Sequence, residues 1–424
     1  MLDRSTQAQD QRRFLFLQGL PSPLFYKLGR ALEQSGHLVR RINLCAGDML
    51  FWPRPGADHY RGRFSKWADF LLRYLERHRI TDILMFGDRR PYHRVAARLA
   101  GRLGIQVHSF DEGYLRPDWI TMESDPSWLP QLIAADLPEL ARRLDSPANH
   151  RRVGGGFARL ACWNIAFQAL TTVLWPLFPF YRRHRPQHPV VEGLGWVRRS
   201  AQRQQLERSA RCAQQKLVTA KTPFFLLPLQ LDSDYQIRDR SPFRHMGEVM
   251  ELVMASFARH APGDDALVIK VHPLDNGLVD RQRQVRDLSV QHGLKGRVHF
   301  LDGGHLPTLI GASKGVVVVN STTGLTALHQ RKPTFALADA VYKLPGLVSP
   351  GTLEEFWTYP APPRQELVAA FEKVLADHCQ VNGSFFTPAG IDLAVQNILL
   401  RLQKAPSPDR CTTPREFKRG PAGV

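Results

Sequence analysis

The chain has 424 residues, 43% hydrophobic and 23% charged. That is ordinary globular composition with material for two domains, and it excludes a mainly disordered chain. Lys and Arg number 57 against 39 acids, a net charge of +18, which calls for an anionic partner: nucleic acid, an anionic membrane surface or a phosphate-bearing substrate.

The N-terminus (MLDRSTQAQDQRR) is polar and lacks the apolar core of a signal peptide. Arg12–Gly19 (RRFLFLQG) reads as a buried parallel strand. Leu24, Leu28 and Leu32 then recur at helical spacing until Gly36, and His37–Leu44 reads as a second strand. Trp67–Arg79 is predicted helical, Ile80–Gly87 (ITDILMFG) a third strand followed by Asp88, Tyr92–Leu103 a helix capped by Gly104, and Ile105–Phe110 the next strand. Strands alternating with such helices indicate βαβ units and a parallel sheet. No GxGxxG follows the first strand, so no dinucleotide site of the usual kind is expected.

Leu160–Tyr181 (LACWNIAFQALTTVLWPLFPFY) carries no charge and is flanked by Arg159 and by Arg182, Arg183, His184 and Arg185. Its length allows a membrane span, but Asn164, Gln168, Thr171, Thr172, Pro176 and Pro179 fall inside it. A buried helix and a helix lying in a membrane interface, with its Trp residues at headgroup level, are the competing readings. Val197–Gln215, rich in Arg and Gln, reads as a solvated helix or linker, and the domain boundary is placed there.

A second alternation follows: strands at Thr222–Gln230, Ala266–Val271, Arg297–Leu301, Gly315–Asn320 and Thr334–Leu337, with helices at Gly247–His260, Leu306–Ala312, Leu325–Gln330, Val368–Ala376 and Leu393–Leu402. The expected architecture is therefore α/β with two Rossmann-like domains. The first spans 1–200 and includes the apolar segment 160–181; the second spans 201–404; a Pro-, Arg- and Gly-rich tail, 405–424, is expected to be disordered.

Three stretches carry candidate chemistry. Val107–Trp119 (VHSFDEGYLRPDW) ends a strand in Asp111, Glu112 and Gly113, where open α/β sheets bind ligands; a plain turn is the competing reading. Lys270-Val271-His272-Pro273 ends another strand with two groups able to neutralise and hydrogen-bond a phosphate. Asn320-Ser321-Thr322-Thr323-Gly324 runs from a strand into a helix, a pattern for N-capping and anion binding. Leu229–Arg240 adds Gln230, Asp232, Asp234, Arg238 and Asp239, where a carboxylate could serve as nucleophile or base or simply fill a polar turn.

Acids in the first half and a phosphate site in the second suit a GT-B-type glycosyltransferase, in which the C-terminal domain holds the nucleotide-sugar. Cys45, Cys162, Cys212, Cys379 and Cys411 stand far apart with no CxxC pair, which argues against a zinc site or disulfide framework and favours a reducing cytosol. The basic clusters, such as Arg40-Arg41 and Arg198-Arg199, come with no RNA-binding or zinc-finger signature, so no nucleic-acid partner is expected.

The motifs FDEGYLRPDWIT, YRRHRP, PLQLDSDYQI, VIKVHP and VNSTTGLTALHQRKP, in this order from about Arg12 to about Phe356, resemble the capsule polysaccharide biosynthesis/export proteins, bacterial β-Kdo glycosyltransferases that build a Kdo linker on a phospholipid. The pattern is most similar to the member that adds the first Kdo to lysophosphatidylglycerol.

This resemblance implies retaining transfer from CMP-Kdo at the inner face of the cytoplasmic membrane, with no cofactor and no metal. The enzyme would be cytoplasmic and peripherally bound, with other capsule-assembly proteins as further partners. The resemblance places Asp111, Glu112, Asp234 and His272 in catalysis. Gln230, Lys270, His272, Pro273, Ser321, Thr322, Thr323 and Gly324 fall to the CMP-Kdo site, and Gly113 and Arg116 to the acceptor side. Met122–Trp128 (MESDPSW) departs from the Gly/Asn-rich continuation expected in the family. A non-catalytic assembly or export scaffold on the same fold is the alternative.

Overall fold

A computed structural model describes residues 11–124, 136–144, 150–154, 156–183, 189–232, 234, 237 and 240–404. In chain order the elements are β1 (Arg13–Phe16), α1 (Leu24–Gln34), β2 (Leu38–Asn43), α2 (Ala46–Leu50), β3 (Asp58–His59), α3 (Trp67–Arg77), β4 (Asp82–Phe86), α4 (Pro91–Leu103), β5 (Gln106–Glu112), β6 (Trp119–Glu123), α5 (Leu137–Arg143), α6 (Phe157–Val173) and α7 (Pro189–Thr219). Then come β7 (Phe224–Pro228), α8 (Met246–His260), β8 (Ala266–Lys270), α9 (Arg281–Gln291), β9 (Val298–Leu301), α10 (Leu306–Ala312), β10 (Gly315–Val318), α11 (Thr323–His329), β11 (Thr334–Ala336), α12 (Leu353–Thr358), α13 (Gln365–Cys379), β12 (Gln380–Asn382) and α14 (Pro388–Lys404).

The chain folds as two compact units. The first joins Met1–Pro126, Asn149–His184 and Cys379–Val424; the second joins Ser127–Ala148 and Arg185–His378. Each is built on a Rossmann-like, largely parallel sheet, as the alternating pattern predicts.

The first unit's sheet has seven strands in the order β12-β6-β5-β4-β1-β2-β3. The run from β5 to β3 is parallel, while β5–β6 and β6–β12 are antiparallel. Side chains of a strand alternate between faces, so Phe14, Phe16, Leu84, Phe86 and Phe110 meet α1 and α14 on one face. Leu15, Leu17, Ile83 and Met85 meet α3 and α4 on the other. The apolar positions Leu24, Leu28 and Leu32 of α1 and Trp67, Leu71 and Leu75 of α3 supply the facing stripes.

The second unit's sheet is parallel, five strands in the order β11-β10-β7-β8-β9. Phe225, Leu227, Leu267, Ile269, Val317 and Val319 pack one of its faces against α8, α9 and α12.

The division of the chain differs from the boundary expected near residue 200 and from a second domain spanning 201–404. Pairing of β12 with β6 returns the chain to the first sheet, and α14 packs Ile391, Ala394, Ile398 and Leu402 on that unit's core. β12 is three residues long and reads Gln-Val-Asn, with no apolar run to announce it in the sequence. Val197–Gln215 is the helix of the two readings, a largely exposed part of α7, and its Gln214 accepts from the His305 amide at 2.8 Å. The charge-free stretch 160–181 divides into α6 and a short 3-10 turn, Trp175–Leu177. No helix among the described residues is long and apolar enough to cross a membrane. The expected tail, 405–424, lies outside the described residues.

At the start of β4 a buried polar cluster locks the first sheet. Asp82 Oδ2 accepts from Arg12 Nε at 3.0 Å and from the Thr81 hydroxyl at 2.6 Å, and His108 Nε2 lies 2.9 Å from Oδ1. Burial pushes the carboxyl up, but the hydrogen bonds from His108 and Arg12 outweigh it and hold Asp82 at about 2. A folded pKa below the ordinary carboxylate value stabilises the fold above about pH 4 and ceases to do so as pH falls through about 2. The contribution is roughly 2 kcal/mol. Asp82→Asn is expected to cost about 3 kcal/mol or more at neutral pH, because the partly buried Arg12 guanidinium loses its partner. Denaturant melts from neutral pH down to about pH 2 check this: wild type and variant should converge on acidification, and a constant gap would remove the charge from the explanation.

Candidate functional site

In the second unit the candidate donor residues come together at one edge of the sheet. β7 and β10 are neighbours, yet the chain runs outward from β7 through β8 to β9, then returns to β10 and β11 on the other side. The C-terminal ends of β7 and β10 therefore flank a topological switch point, where open α/β sheets leave a crevice for ligands. Gln230 follows β7 and Asn320 follows β10. Gln230 Nε2 donates to Asn320 Oδ1 at 3.1 Å, and the Asn320 backbone N–H donates to Gln230 Oε1 at 3.4 Å.

Leu229 and Val319 belong to the core beneath α8, so alternation turns Gln230 and Asn320 toward the opposite face. Lys270 shares that face, since Ile269 is in the same core and Lys270 pairs with Pro228 across β7 and β8.

Lys270 is buried. Burial lowers its pKa, while Glu207 and Asp302 raise it and Arg199 lowers it further. Arg199 Nη1 donates to Asp302 Oδ2 at 2.9 Å, and Glu207 Oε2 accepts from the Gly304 amide at 3.1 Å. The ammonium thus stands among two acids and a guanidinium rather than alone.

His272 Nδ1 accepts from the Leu274 amide at 3.0 Å. An accepting Nδ1 carries no proton, so the neutral ring bears its hydrogen on Nε2 and presents a donor there. Pro273 is exposed at the turn that follows.

The hydroxyl run is divided in its roles. Ser321 Oγ accepts from the Thr323 amide at 3.2 Å and donates to Thr323 Oγ1 at 3.1 Å, while Thr322 makes no side-chain cap. Gly324 has a packing reason: a Cβ there would run into the buried Tyr342 ring, whose hydroxyl donates to the Ser321 carbonyl at 2.5 Å. Tyr342 and the three α7 and β9 neighbours of Lys270 carry no motif of their own; only their contacts reveal them.

Of the acids after β7, Asp232 is structural: it accepts from the Met246 amide at 2.8 Å and pairs with the buried Arg281. Asp234 is partly buried in the turn, its amide bonded to the Leu231 carbonyl at 2.9 Å. Arg238 and Asp239 lie outside the described residues.

In the first unit Asp111 and Glu112 are the last residues of β5, at the C-terminal edge of the parallel strands, as read from sequence. They are also paired to β6, Asp111 with Thr121 and Glu112 with Ile120. Adjacent strand residues point to opposite faces, so the two carboxylates diverge. Glu112 takes a 2.7 Å ion pair from Arg116, and the Arg116 Nε donates to the Gly113 carbonyl at 3.2 Å. Gly113 cannot carry a side chain, because a Cβ would strike the Trp119 carbonyl.

The first sheet has its own switch point between β1 and β4, and there a buried polar group went unread. Arg90 Nη1 donates to Gln18 Oε1 at 3.1 Å, Gln18 Nε2 donates to the Asp48 carboxylate at 3.2 Å, and His93 Nδ1 lies 2.7 Å from the Gly87 carbonyl. Burial and then the Arg90 cation bring His93 down to about 3, so its ring is neutral at any ordinary pH. The GDRRP turn after a buried strand was the signal that could have found this group.

A family profile described as capsule polysaccharide biosynthesis protein matches residues 81–386. The chain is 32% identical over 392 residues to the capsule polysaccharide modification protein LipB of Neisseria meningitidis serogroup A, covering 89% of this chain and 93% of that one. It is 31% identical over 391 residues to the capsule polysaccharide export protein KpsS of Escherichia coli, covering 88% and 97%. Among solved structures, the β-Kdo 2,7 transferase KpsC of Thermosulfurimonas dismutans aligns with 93% of this chain and 100% of its own at 15% identity and a TM-score of 0.45. By the profile match and the two long alignments, this chain belongs to the capsule polysaccharide biosynthesis protein family.

Proposed function

We propose that this chain is a cytoplasmic, GT-B-type retaining β-Kdo transferase that moves Kdo from CMP-Kdo onto a (lyso)phosphatidylglycerol acceptor, starting the poly-Kdo linker of a capsular polysaccharide. One observation carries the reading: Gln230, Lys270 and Asn320 share one face at the switch point of the second sheet. His272 and Ser321–Thr323 follow directly from those strand ends. An anionic donor, an anionic acceptor and an anionic membrane all suit a chain of net charge +18.

In this mechanism a carboxylate oxygen of Asp234 attacks the anomeric carbon of Kdo, and the bond from that carbon to the phosphate oxygen breaks with its electron pair leaving on CMP. The Nε2–H of His272 and the Lys270 ammonium stabilise the charge that gathers on the departing phosphate. The acceptor hydroxyl then attacks the same carbon, Glu112 takes its proton, and the Asp234 carboxylate departs. Two displacements return the original configuration. Glu112 is oriented by its 2.7 Å ion pair with Arg116. Arg116 and Gly113 hold that acid in place on the acceptor side. The reaction as written needs no metal, since the leaving group is a single phosphate monoester.

The E. coli relative's name favours a second reading, a non-catalytic assembly or export scaffold. Release of CMP from CMP-Kdo, assayed with a lysophospholipid acceptor, separates the two: the scaffold releases none.

Glu112→Gln should lower turnover by about 100-fold or more, the usual loss for a general base, and full turnover in that variant removes Glu112 from the chemistry. The Kdo adduct trapped in Glu112→Gln should map by mass spectrometry to Asp234; an adduct on another residue reassigns the nucleophile. His272→Ala should slow CMP release about 10-fold or more through loss of one charge-stabilising donor, read against an unchanged melting temperature.

A further inference from the structure

The segment 149–183 contains no Asp or Glu. Within it, α6 buries Phe167 and Thr171 against α2 and then emerges into solvent. Every residue of Val173–Leu177 is exposed, and so are Pro179 and Phe180, while Phe178 alone turns inward. Val173 is 72% and Trp175 61% exposed. An unbroken exposed apolar run of this length is unfavourable in water unless it has a function. Ile165 on α6 and Met49 and Leu50 on the adjacent α2 add to the exposed apolar surface. Around it stand cations: Arg61 over the Phe178 ring at 6.0 Å, Arg63 over the Phe180 ring at 5.2 Å, and Arg182 over the Phe64 ring at 5.0 Å.

We propose that the Val173–Phe180 tip is a docking surface that seats the first unit on an anionic phospholipid bilayer. Trp175 and its apolar neighbours enter the headgroup region, and Arg61, Arg63 and Arg182 contact lipid phosphates. Three features choose a bilayer over a protein. The run is short and broken by Pro176 and Pro179, so it can dip into an interface but cannot span one. Tryptophan is favoured at headgroup depth, and arginine stems cover apolar surface while their heads reach phosphate. A second copy of this chain would bring an identical ring of arginines against this one in a two-fold contact, and like charges would oppose it. The inference goes beyond the transferase reading and does not depend on it.

The test uses the full chain with vesicles of phosphatidylcholine alone and of phosphatidylcholine with phosphatidylglycerol, followed by co-sedimentation at low and high salt. The wild type should bind the phosphatidylglycerol vesicles, more weakly as salt rises. V173Q/W175Q should partition about 10-fold less at every salt with an unchanged melting temperature, since both side chains are exposed. R61Q/R63Q should lose the preference for phosphatidylglycerol and most of the salt dependence. Equal partitioning of V173Q/W175Q and wild type overturns the proposal. So does a wild type that ignores the vesicles, or one that is a dimer in solution and that V173Q/W175Q converts to a monomer. CMP release measured with a short-chain, water-soluble acceptor keeps the two readings apart. It should be unchanged in V173Q/W175Q; if the wild type releases none but the vesicle results hold, the transferase reading falls and the docking surface stands.

Discussion

The hydrogen bonds that join the Gln230 side chain to Asn320 are the constraint on which the second unit's candidate site depends. β7 and β10 are neighbours in space but far apart in the chain, and the connections that follow them leave in opposite directions. Parallel strands that diverge in this way have no main-chain ladder beyond their ends. The Gln230 side chain donates to the Asn320 side chain and accepts from the Asn320 backbone N–H, so the loops carrying Asp234 and Ser321–Thr323 start from a fixed separation. Gln230 is buried, and its side-chain amide both donates to and accepts from Asn320, as a buried polar group requires. Replacing Asn320 by Ala would remove the acceptor of the Gln230 Nε2–H at the mouth of the crevice.

The first unit meets the same topological problem with charges instead of amides. Gln18 beyond β1 and Arg90 beyond β4 join across its switch point, and Asp48 with the buried Arg41 closes the group from the β2 side. A network of this kind is stable only when its members are mutually satisfied. It explains why GDRRP follows β4: the arginine that caps the turn also reaches the β1 end. At the other end of the same strands, Asp82 does comparable work at the sheet's N-terminal edge. The first sheet is thus polar at both edges and apolar between them.

Much of this was legible in the sequence because parallel strands buried on both faces read as uninterrupted apolar runs, and Phe224–Pro228 or Gly315–Val318 leave little choice of structure. The motifs at their ends were legible for the same reason: a polar residue immediately after such a run must lie at the sheet's edge. What could not be read was pairing at long range. β6 and β12 are joined by residues some 260 positions apart, with Gln380 bonding the Thr121 hydroxyl at 3.0 Å and Asn382 the Asp118 carbonyl at 2.8 Å, and no local pattern announces a partner so distant. The acid pair shows the same limit. Side by side in sequence, Asp111 and Glu112 invite a shared role, yet strand alternation sends them to opposite faces, and only Glu112 has Arg116 as partner.

Lys270 shows how acids at the edge of a sheet can offset part of the cost of burying a lysine, whose pKa is lowered by burial. A lysine this deeply placed would ordinarily shed its proton, because burial favours the neutral amine. Glu207, carried by the middle of α7, and Asp302, just past β9, oppose that tendency. Arg199 offsets part of their effect by pairing with Asp302. The long helix, part of which reads in the sequence as a solvated helix or linker, therefore has an electrostatic role: it brings both a carboxylate and a guanidinium to the back of the candidate phosphate site. A phosphate arriving at the switch point would meet a charge whose compensation is already built, rather than a loose side chain that must be ordered first. The surroundings of Lys270 are thus set by α7 and by the end of β9.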